Sequence, residues 1–390
     1  MRRRRRSSNT DEPGSFGLVF GSLAKLVLGG VLLAGLAEWG AGLAMSRLDA
    51  STAASQPALS DQDIRKLYDT DAPQTYRAVL SEEAQLGEAV YSPLVEYRLP
   101  PRAGKHFTIS PEGWRGNGRV QNIDGPGAKV FVFGGSTTFG SGVPDGETIP
   151  AFLEDTLKAA GKDVQVFNMG VVSWFSTQER IALERLLTAG NRPNVVVFID
   201  GLSDFQSCQV PDRSAWSDRI ERATGAMQRL PLTTELANRS DMVALGHRLL
   251  GGAPAEAPDR AVACSDADLD RVIRRLDTNR RIIAATADTL GFKAVFVQQP
   301  VPTYHYDNAK RAVPVKTELL AHHMNSAKGY PRMAEMRAAG QLMDHNTLWL
   351  AELEPGEGNA YVDTVHYSPR FNRTLAEAIG RHVIDNSLLP

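Results

Sequence analysis

Cysteine is scarce in this sequence, and neither sign of charge dominates it. Only 2 of the 390 residues are cysteine, which excludes a disulfide-dense scaffold and a multi-cysteine zinc cluster. The formal net charge is −2, and removing the five arginines at residues 2–6 leaves −7 on the rest of the chain. A broad nucleic-acid surface is therefore excluded. His322 and His323 are adjacent and make poor co-ligands on a helix, so we expect neither a metal nor a cofactor.

A long hydrophobic run lies close to the N-terminus. Residues 16–37 are apolar apart from Lys25, and as a helix they would span about 33 Å, enough for a hydrocarbon core of about 30 Å. The arginines at residues 2–6 predict a cytoplasmic N-terminus. We therefore expect a single-pass anchor in the inner or plasma membrane, with the rest of the chain periplasmic or extracellular. A cleaved signal peptide is the alternative; the length of the run and Glu38 favour a retained anchor.

The sequence pattern divides the chain into segments with different character. They are a basic cytoplasmic tail (1–15), the transmembrane anchor (16–37), a linker (38–60), an N-terminal arm (61–128) and an α/β domain (129–390) with an insertion at 209–263. Cys208 and Cys264 bracket that insertion. Outside the cytoplasm they could form a disulfide or remain two free thiols.

Strand and helix patterns alternate after the arm. Short apolar runs predict buried strands at 129–133, 164–169, 194–200 and 293–298. Such alternation predicts an α/β fold with a mostly parallel sheet covered on both faces. Functional groups in such sheets gather at the carboxyl ends of the strands.

Capping residues mark where the helices begin. Thr148, Ser265 and Ser368 are predicted N-caps, and Ser176 with Glu179 reads as a capping box. The predicted helices are 148–160, 176–189, 265–290 and 368–384, with two shorter ones in the arm at 61–70 and 75–88.

Chemically capable residues follow the predicted strands. Gly134-Gly135-Ser136-Thr137-Thr138 comes after the first strand, Asn168-Met169-Gly170 ends the second, and Asp200-Gly201-Leu202-Ser203-Asp204 follows the third. Asp363-Thr364-Val365-His366 precedes the last helix. Each fragment alone is a weak signal, since a Gly-Gly-Ser turn could equally cradle a phosphate. Four fragments in this order are a much stronger one.

The order of these fragments resembles the SGNH hydrolase family, also called GDSL esterases and lipases, and within it the subgroup with Gly-Gly-Ser-Thr-Thr in place of Gly-Asp-Ser. The resemblance covers about residues 129–384, with a looser match at Trp114-Arg115 in the arm. It implies a flavodoxin-like three-layer α/β/α sandwich.

The resemblance also implies roles for individual residues. Ser136 would be the nucleophile, and Asp363 with His366 would complete a catalytic triad. Gly170 would donate its backbone N–H to the oxyanion. Ser203 stands where the family has an asparagine donor, and a hydroxyl is a shorter donor that rotates freely.

The same residue types support this chemistry without the family name. A serine hydroxyl needs a neighbouring base, His366 can supply one near neutral pH, and Asp363 can fix its tautomer. Asp200 and Asp204 are more consistent with loop-stabilising carboxylates. His305 is a rival base with only Asp307 near it in sequence.

Three functions remain open from the sequence. The first is a membrane-anchored extracytoplasmic esterase that hydrolyses acyl esters, O-acetyl esters above all, through an acyl-enzyme on Ser136. The second is an O-acyltransferase for a cell-envelope glycan or exopolysaccharide, using the same acyl-enzyme. The third is a degenerate glycan-binding or assembly protein, for which Ser203 is the best sequence indication. The expected partners are an acylated small molecule, glycan or lipid and the membrane, through residues 16–37.

Overall fold

The computed structural model describes residues 37–38, 59–87, 89–206, 263–315, 320 and 323–390. The described residues between 59 and 206 and between 263 and 390 belong to one compact unit. Within the described ranges no helix is both long and apolar enough to cross a membrane. The predicted anchor at 16–37, except Ala37, and most of the insertion at 209–263 lie outside the described residues.

The arm contains two helices and two short antiparallel strand pairs. Helix α1 (Asp61–Tyr68) begins at a Ser60 capping box, and helix α2 (Pro73–Ala84) begins at a proline, which is well suited to a first turn. The strand pairs, which the sequence pattern did not reveal, are β1 (Val90–Ser92) with β2 (Glu96–Arg98), and β3 (Arg102–Ala103) with β4 (Thr108–Ile109).

A five-stranded parallel sheet forms the centre of the α/β domain. Its strands are β5 (Ala128–Gly134), β6 (Val164–Gly170), β7 (Val195–Asp200), β8 (Lys293–Gln298) and β9 (Thr347–Trp349). Their spatial order is β6-β5-β7-β8-β9, and all neighbours pair in parallel. Counted from β5 this is 2-1-3-4-5, the order of flavodoxin-like sheets. The predicted α/β fold with a mostly parallel sheet is confirmed.

Helices cover both faces of the sheet. They are α3 (Ser136–Phe139), α4 (Ile149–Ala159), α5 (Ser176–Thr188), α6 (Asp266–Leu290), α7 (Met324–Ala338) and α8 (Pro369–Asp385). Helix α7 and the three-residue strand β9 were not predicted. Gly329 and Pro331 interrupt the helical pattern of α7, and β9 is too short to show periodicity.

The alternation of side chains along β5 explains why both faces of the sheet are covered. Val130 and Val132 share one core cluster with α4 and α8, whereas Phe131 and Phe133 share the opposite cluster with α5, α6 and the arm. All four side chains are fully buried. Because successive residues of a strand point to opposite faces, an uninterrupted apolar run needs cover on both sides.

The helix starts were mostly predicted correctly. The side chains of Thr148, Ser265 and Ser368 each accept the expected backbone N–H. The capping box at Ser176 is wrong: the N-cap of α5 is Phe175, and no side chain caps this helix. Ser176 and Glu179 are instead buried.

Candidate active site

Ser136 lies at the carboxyl end of central strand β5, where it begins the short helix α3. The residue before it, Gly135, is closely surrounded. A Cβ on Gly135 would lie 2.5 Å from Ser203 Oγ and 3.1 Å from the Trp174 carbonyl oxygen. Glycine is therefore required here by close approach, and Ser203 lies beside the backbone that precedes Ser136.

A buried arginine from the arm fixes the turn that follows Ser136. Arg115 donates to the carbonyl oxygens of Phe139 (3.1 Å), Gly140 (2.8 Å) and Val143 (2.6 Å), and through Nε to Asp145 (2.9 Å). Its side chain is 1% exposed. The guanidinium satisfies carbonyls that helix α3 leaves unpaired at its end. The sequence had marked Trp114-Arg115 only as a loose family match, with no role assigned.

Gly170, which the resemblance predicts as a donor to the oxyanion, is the last residue of β6. Its N–H donates to Asn168 Oδ1 at 3.0 Å, so this amide already has an acceptor. A Cβ on Gly170 would lie 2.4 Å from the backbone nitrogen of Phe139. Gly170 therefore lets β6 pass directly beneath α3, and Asn168 Nδ2 holds the Thr138 carbonyl from the same strand at 3.1 Å.

The turn that follows Gly170 lies against the end of β5. Val171 N–H donates to the Gly134 carbonyl at 3.0 Å, and Trp174 N–H closes the turn on Val171 at 3.1 Å. Ser173 within it is exposed and has a left-handed backbone with φ of 63°. A serine in this conformation is uncommon, and nothing in the sequence distinguishes it from its neighbours.

Asp363 and His366 form a tight acid–imidazole pair. His366 Nδ1 lies 2.6 Å from Asp363 Oδ2, and the backbone amides of Val365 and His366 donate to Asp363 Oδ1 at 2.9 and 2.8 Å. The His366 side chain is 20% exposed and that of Asp363 is 51% exposed. His366 Nε2 is buried and has no hydrogen-bond partner.

The charges of this pair fix the tautomer of the imidazole. Burial raises the pKa of Asp363, but the charge and hydrogen bonds of His366 outweigh it, and the pKa falls to about 2. Burial lowers the pKa of His366, but Asp363 and the charge of Glu83 outweigh it, and this pKa is raised. An ionised carboxylate only accepts, so Nδ1 carries the proton and Nε2 presents its lone pair.

A chain of side chains links the residues that directly follow Ser136 and His366. Thr137, directly after Ser136, donates to Gln299 Oε1 at 3.3 Å, and Gln299 Nε2 donates to Tyr367 Oη at 3.1 Å. Tyr367, directly after His366, donates in turn to the Pro300 carbonyl at 2.6 Å. These buried contacts bring the Ser136 and His366 segments to one end of the sheet, although they lie 230 residues apart in the numbering.

A buried cluster of charges lies behind Ser203, where the sequence predicted only loop-stabilising carboxylates. Asp204, in the same short turn as Ser203, accepts from Ser176 Oγ at 2.7 Å and pairs with Arg275 at 3.6 Å. Asp200 ends β7 and pairs with Arg280 at 3.7 Å. These contacts anchor the Ser203 turn to helices α5 and α6.

Glu179 is the third carboxyl of this cluster. Burial, followed by the charge and hydrogen bond of Asp200 and the charge of Asp204, raises the pKa of Glu179 well above its usual range. Burial also raises the pKa of Asp200, to about 6, although the charge of Arg280 opposes this. When Glu179 is protonated and both aspartates are ionised, the aspartates balance Arg275 and Arg280 and the cluster is neutral. This arrangement is favoured because isolated buried charge is costly.

The remaining features noted in the sequence are the two cysteines, His322 and His305. Cys264 is in a disulfide, and Cys208 lies outside the described residues, as does His322. Among the described residues, no group of three or more His, Cys, Asp or Glu side chains could hold a metal ion. The ring of His305 makes an edge-to-face contact with the ring of Tyr304, with ring centroids 4.3 Å apart.

We expect Glu179→Gln to stabilise the protein increasingly as pH rises. Glutamine copies the neutral carboxyl, whereas wild-type folding above pH 4.5 must take up a proton that the unfolded chain has released. The difference in unfolding free energy should grow in favour of the variant by up to about 1.4 kcal/mol per pH unit. Urea unfolding at pH 5, 7 and 8 measures it.

The matched control is Glu184→Gln on the same helix, because Glu184 is 41% exposed and pairs with Arg180 at the surface. It should show no comparable growth with pH. An E179Q variant that loses stability relative to wild type as pH rises would show that Glu179 is ionised in the folded state.

Comparison with known proteins gives structural likeness only. No family model matches the chain, and no curated protein matches it. The fold is similar to TesA (16% identity, 67% of this chain and 99% of that one, TM-score 0.37). It is also similar to a carbohydrate acetylesterase family member from Sinorhizobium meliloti (16% identity, 67% of this chain and 99% of that one, TM-score 0.35). A third similar structure is a GDSL-like lipase from Bacteroides thetaiotaomicron VPI-5482 (12% identity, 66% of this chain and 88% of that one, TM-score 0.33). Likenesses at this level carry no argument for the chemistry.

Proposed function

We propose that this protein is a serine esterase in which Ser136 is the nucleophile, His366 the base and Asp363 the residue that orients the base. The observation that carries the proposal is the state of His366. Its Nδ1 is held by an ionised carboxylate, and its Nε2 is buried, unpartnered and free to accept a proton. His366 lies at the same end of the sheet as Ser136, which begins helix α3 directly after the central strand β5.

The reaction follows from these three groups. Ser136 Oγ attacks the ester carbonyl carbon, and its proton passes to His366 Nε2. The tetrahedral intermediate collapses, the alcohol leaves with the proton from Nε2, and an acyl-enzyme remains on Ser136. Water then attacks the acyl carbon, giving its proton to Nε2, and the acid is released as Ser136 regains a proton. Asp363 stays ionised and stabilises each imidazolium.

The oxyanion donors in this proposal come from three positions. The Ser136 N–H at the start of α3 and the Ser203 hydroxyl, which lies against Gly135, are two of them. The third donor is a backbone amide in the turn that carries Ser173. It takes the role that the sequence assigned to Gly170, because the Gly170 N–H is already bonded to Asn168. Preorganised donors of this kind contribute about 3–4 kcal/mol each to a transition state.

The substrate and the compartment belong to the same proposal. Residues 2–6 and 16–37 have the pattern of a membrane anchor with the catalytic domain on the far side, and the disulfide at Cys264 fits an oxidising compartment. An enzyme held there would meet O-acetyl esters of envelope glycans or lipids. Free acetate as the product identifies hydrolysis, whereas an acetylated acceptor would identify transfer.

Ser136→Ala should abolish ester turnover, because the hydroxyl forms the covalent intermediate. We expect kcat for a p-nitrophenyl acyl ester to fall by about 10⁴-fold or more, and a fluorophosphonate probe should no longer label the protein. Ser81→Ala, which alters an exposed serine on α2, is the control and should retain both activity and labelling. Wild-type-like activity in S136A would refute the nucleophile assignment.

The pH dependence of kcat/KM should report His366. The neutral imidazole is the active form, so activity should rise with pH through a midpoint above the usual imidazole value of about 6.5. Asp363→Asn removes the charge that raises this pKa, so the midpoint should fall and kcat should drop roughly 10³–10⁴-fold. An unchanged midpoint in D363N would contradict the assigned pair.

The anchor can be tested on the full-length protein. A spheroplast preparation treated with protease should lose the catalytic domain, and alkaline carbonate should leave the intact chain in the membrane fraction. A variant with residues 2–6 changed to alanine should insert less uniformly, because these arginines set the orientation. Release of the full-length chain by carbonate, or protection from protease, would contradict the proposal.

A further inference from the structure

We propose that Tyr97, carried by strand β2 of the arm, is a positioning residue for the oxyanion donor in the turn after β6. Its hydroxyl holds the carbonyl of the peptide unit whose N–H belongs to Ser173, and so directs and strengthens that N–H as a donor. This inference rests on the proposed function. It goes further because it selects one amide of the turn as the donor and assigns the placement of that amide to a residue of the arm.

The contact that carries the inference is a hydrogen bond to a single peptide unit. Tyr97 Oη donates to the Val172 carbonyl oxygen at 2.7 Å. The Val172 C=O and the Ser173 N–H belong to one planar trans peptide unit, in which they point in opposite directions. A bond that fixes the direction of the carbonyl therefore also fixes the direction of the Ser173 N–H.

The hydrogen bonds within the turn leave the Ser173 amide available. Val171 N–H donates to the Gly134 carbonyl at 3.0 Å, and Trp174 N–H donates to the Val171 carbonyl at 3.1 Å. Among the residues that the structure describes, none accepts a hydrogen bond from the Ser173 N–H. Ser173 is exposed, whereas Val171 and Trp174 are buried. The Ser173 N–H is therefore unpaired and accessible, as a donor to a bound oxyanion must be.

The turn lies along the residues that lead to the nucleophile. Its first residue, Val171, is bonded to Gly134, and the Trp174 carbonyl oxygen comes so close to Gly135 that a Cβ there would be 3.1 Å from it. Ser136 follows these two glycines directly and begins helix α3. Because the turn runs beside the nucleophile segment, the direction of an N–H within it decides how well that N–H reaches an oxyanion formed at Ser136.

The backbone of Ser173 gains from a contact that holds its conformation. Its φ is 63°, in the left-handed region that residues with a side chain adopt uncommonly. This torsion lies next to the peptide unit whose carbonyl Tyr97 holds, so the hydrogen bond opposes a return to a commoner backbone conformation. It also polarises the peptide unit, because hydrogen bonds in series strengthen one another. The Ser173 N–H is thus both directed and made a stronger donor.

Tyr97 is itself fixed in place and keeps its proton. It is 3% exposed, and its ring makes an edge-to-face contact with Trp174, with centroids 6.5 Å apart. Burial raises the pKa of the Tyr97 phenol, and the charge of Glu96 raises it further, so the hydroxyl donates near neutral pH. The same hairpin is also attached to helix α5, since Gln178 Nε2 donates to the Val95 carbonyl at 3.1 Å. Loss of the Tyr97 hydroxyl therefore leaves the hairpin docked.

Tyr97→Phe removes the hydroxyl and keeps the ring. We expect kcat for a p-nitrophenyl acyl ester, counted per site that a fluorophosphonate probe labels, to fall roughly tenfold, which is less than the roughly 10²–10³-fold loss for removing a whole oxyanion donor. KM should be unchanged, because the donor acts on charge that develops in the transition state. A purely structural role would lower the number of labelled sites and leave kcat per labelled site at the wild-type value.

Tyr91→Phe is the matched control, because Tyr91 pairs directly with Tyr97 across the β1–β2 hairpin but is 58% exposed. It removes the same hydroxyl from the same hairpin and should leave kcat and KM at their wild-type values. In an active protein, a Y97F variant with wild-type kcat per labelled site would overturn the inference.

Carbonyl NMR of the full-length protein in detergent provides a readout that needs no turnover. Val172–Ser173 is the only Val-Ser pair in the sequence, so protein labelled with carbonyl-¹³C valine and ¹⁵N serine gives a single correlation for this peptide unit. A hydrogen bond accepted by a carbonyl moves its ¹³C resonance to higher frequency. The Val172 resonance should therefore move to lower frequency in Y97F and stay in place in Y91F.

The two readouts separate this inference from the proposed function. A resonance that moves in Y97F alone supports the placement of the Ser173 amide by Tyr97, even if the wild type hydrolyses no ester and the proposed function fails. Equal resonances in the wild type, Y97F and Y91F overturn the inference, whether or not the wild type is active.

Discussion

The buried guanidinium of Arg115 is the interaction on which the geometry of the site depends. Helix α3 has a single turn, too short to hold itself in place, and three carbonyls at and beyond its end each accept a hydrogen bond from this one side chain. Asp145 neutralises the charge at 2.9 Å. Burying a guanidinium is costly unless its donors are satisfied, and here the carbonyls and the carboxylate satisfy them, so the position of Ser136 is coupled to the arm.

The placement of charge around the site follows one constraint, which is that each buried carboxyl must be compensated or neutral. Asp363 is half exposed and compensated by His366, which keeps it ionised. The cluster behind Ser203 contains one carboxyl more than it has arginines, and Glu179 resolves this by holding a proton. Asp363 is thus paired with an imidazole, while the other carboxyls hold the turn that carries Ser203.

The arm is a structural part of the candidate active site. Arg115 bridges β4 and β6 through its backbone and supports the turn after Ser136 with its side chain, while Asn359 from the Asp363 segment donates to the Leu67 carbonyl of α1 at 3.0 Å. The arm therefore contacts both the segment that carries Ser136 and the segment that carries Asp363 and His366. The segments of Ser136, Asp363 and His366 are thus held by contacts with the arm, a region whose sequence shows weak periodicity.

The sequence alone determined four of the five strands, four of the helices that cover them and the order of the reactive residues, because burial on both faces demands apolar runs and three of those helices begin at a capping side chain. It also indicated Ser136, Asp363 and His366 as candidates. Tertiary contacts decided helix α7, strand β9 and the missing cap at Ser176. Gly329 and Pro331 are tolerated inside the packed helix α7, and Ser176 donates to Asp204 instead of capping α5. The contacts of Arg115 were decided in the same way, since a hydrogen bond between distant segments leaves no periodic pattern in either one.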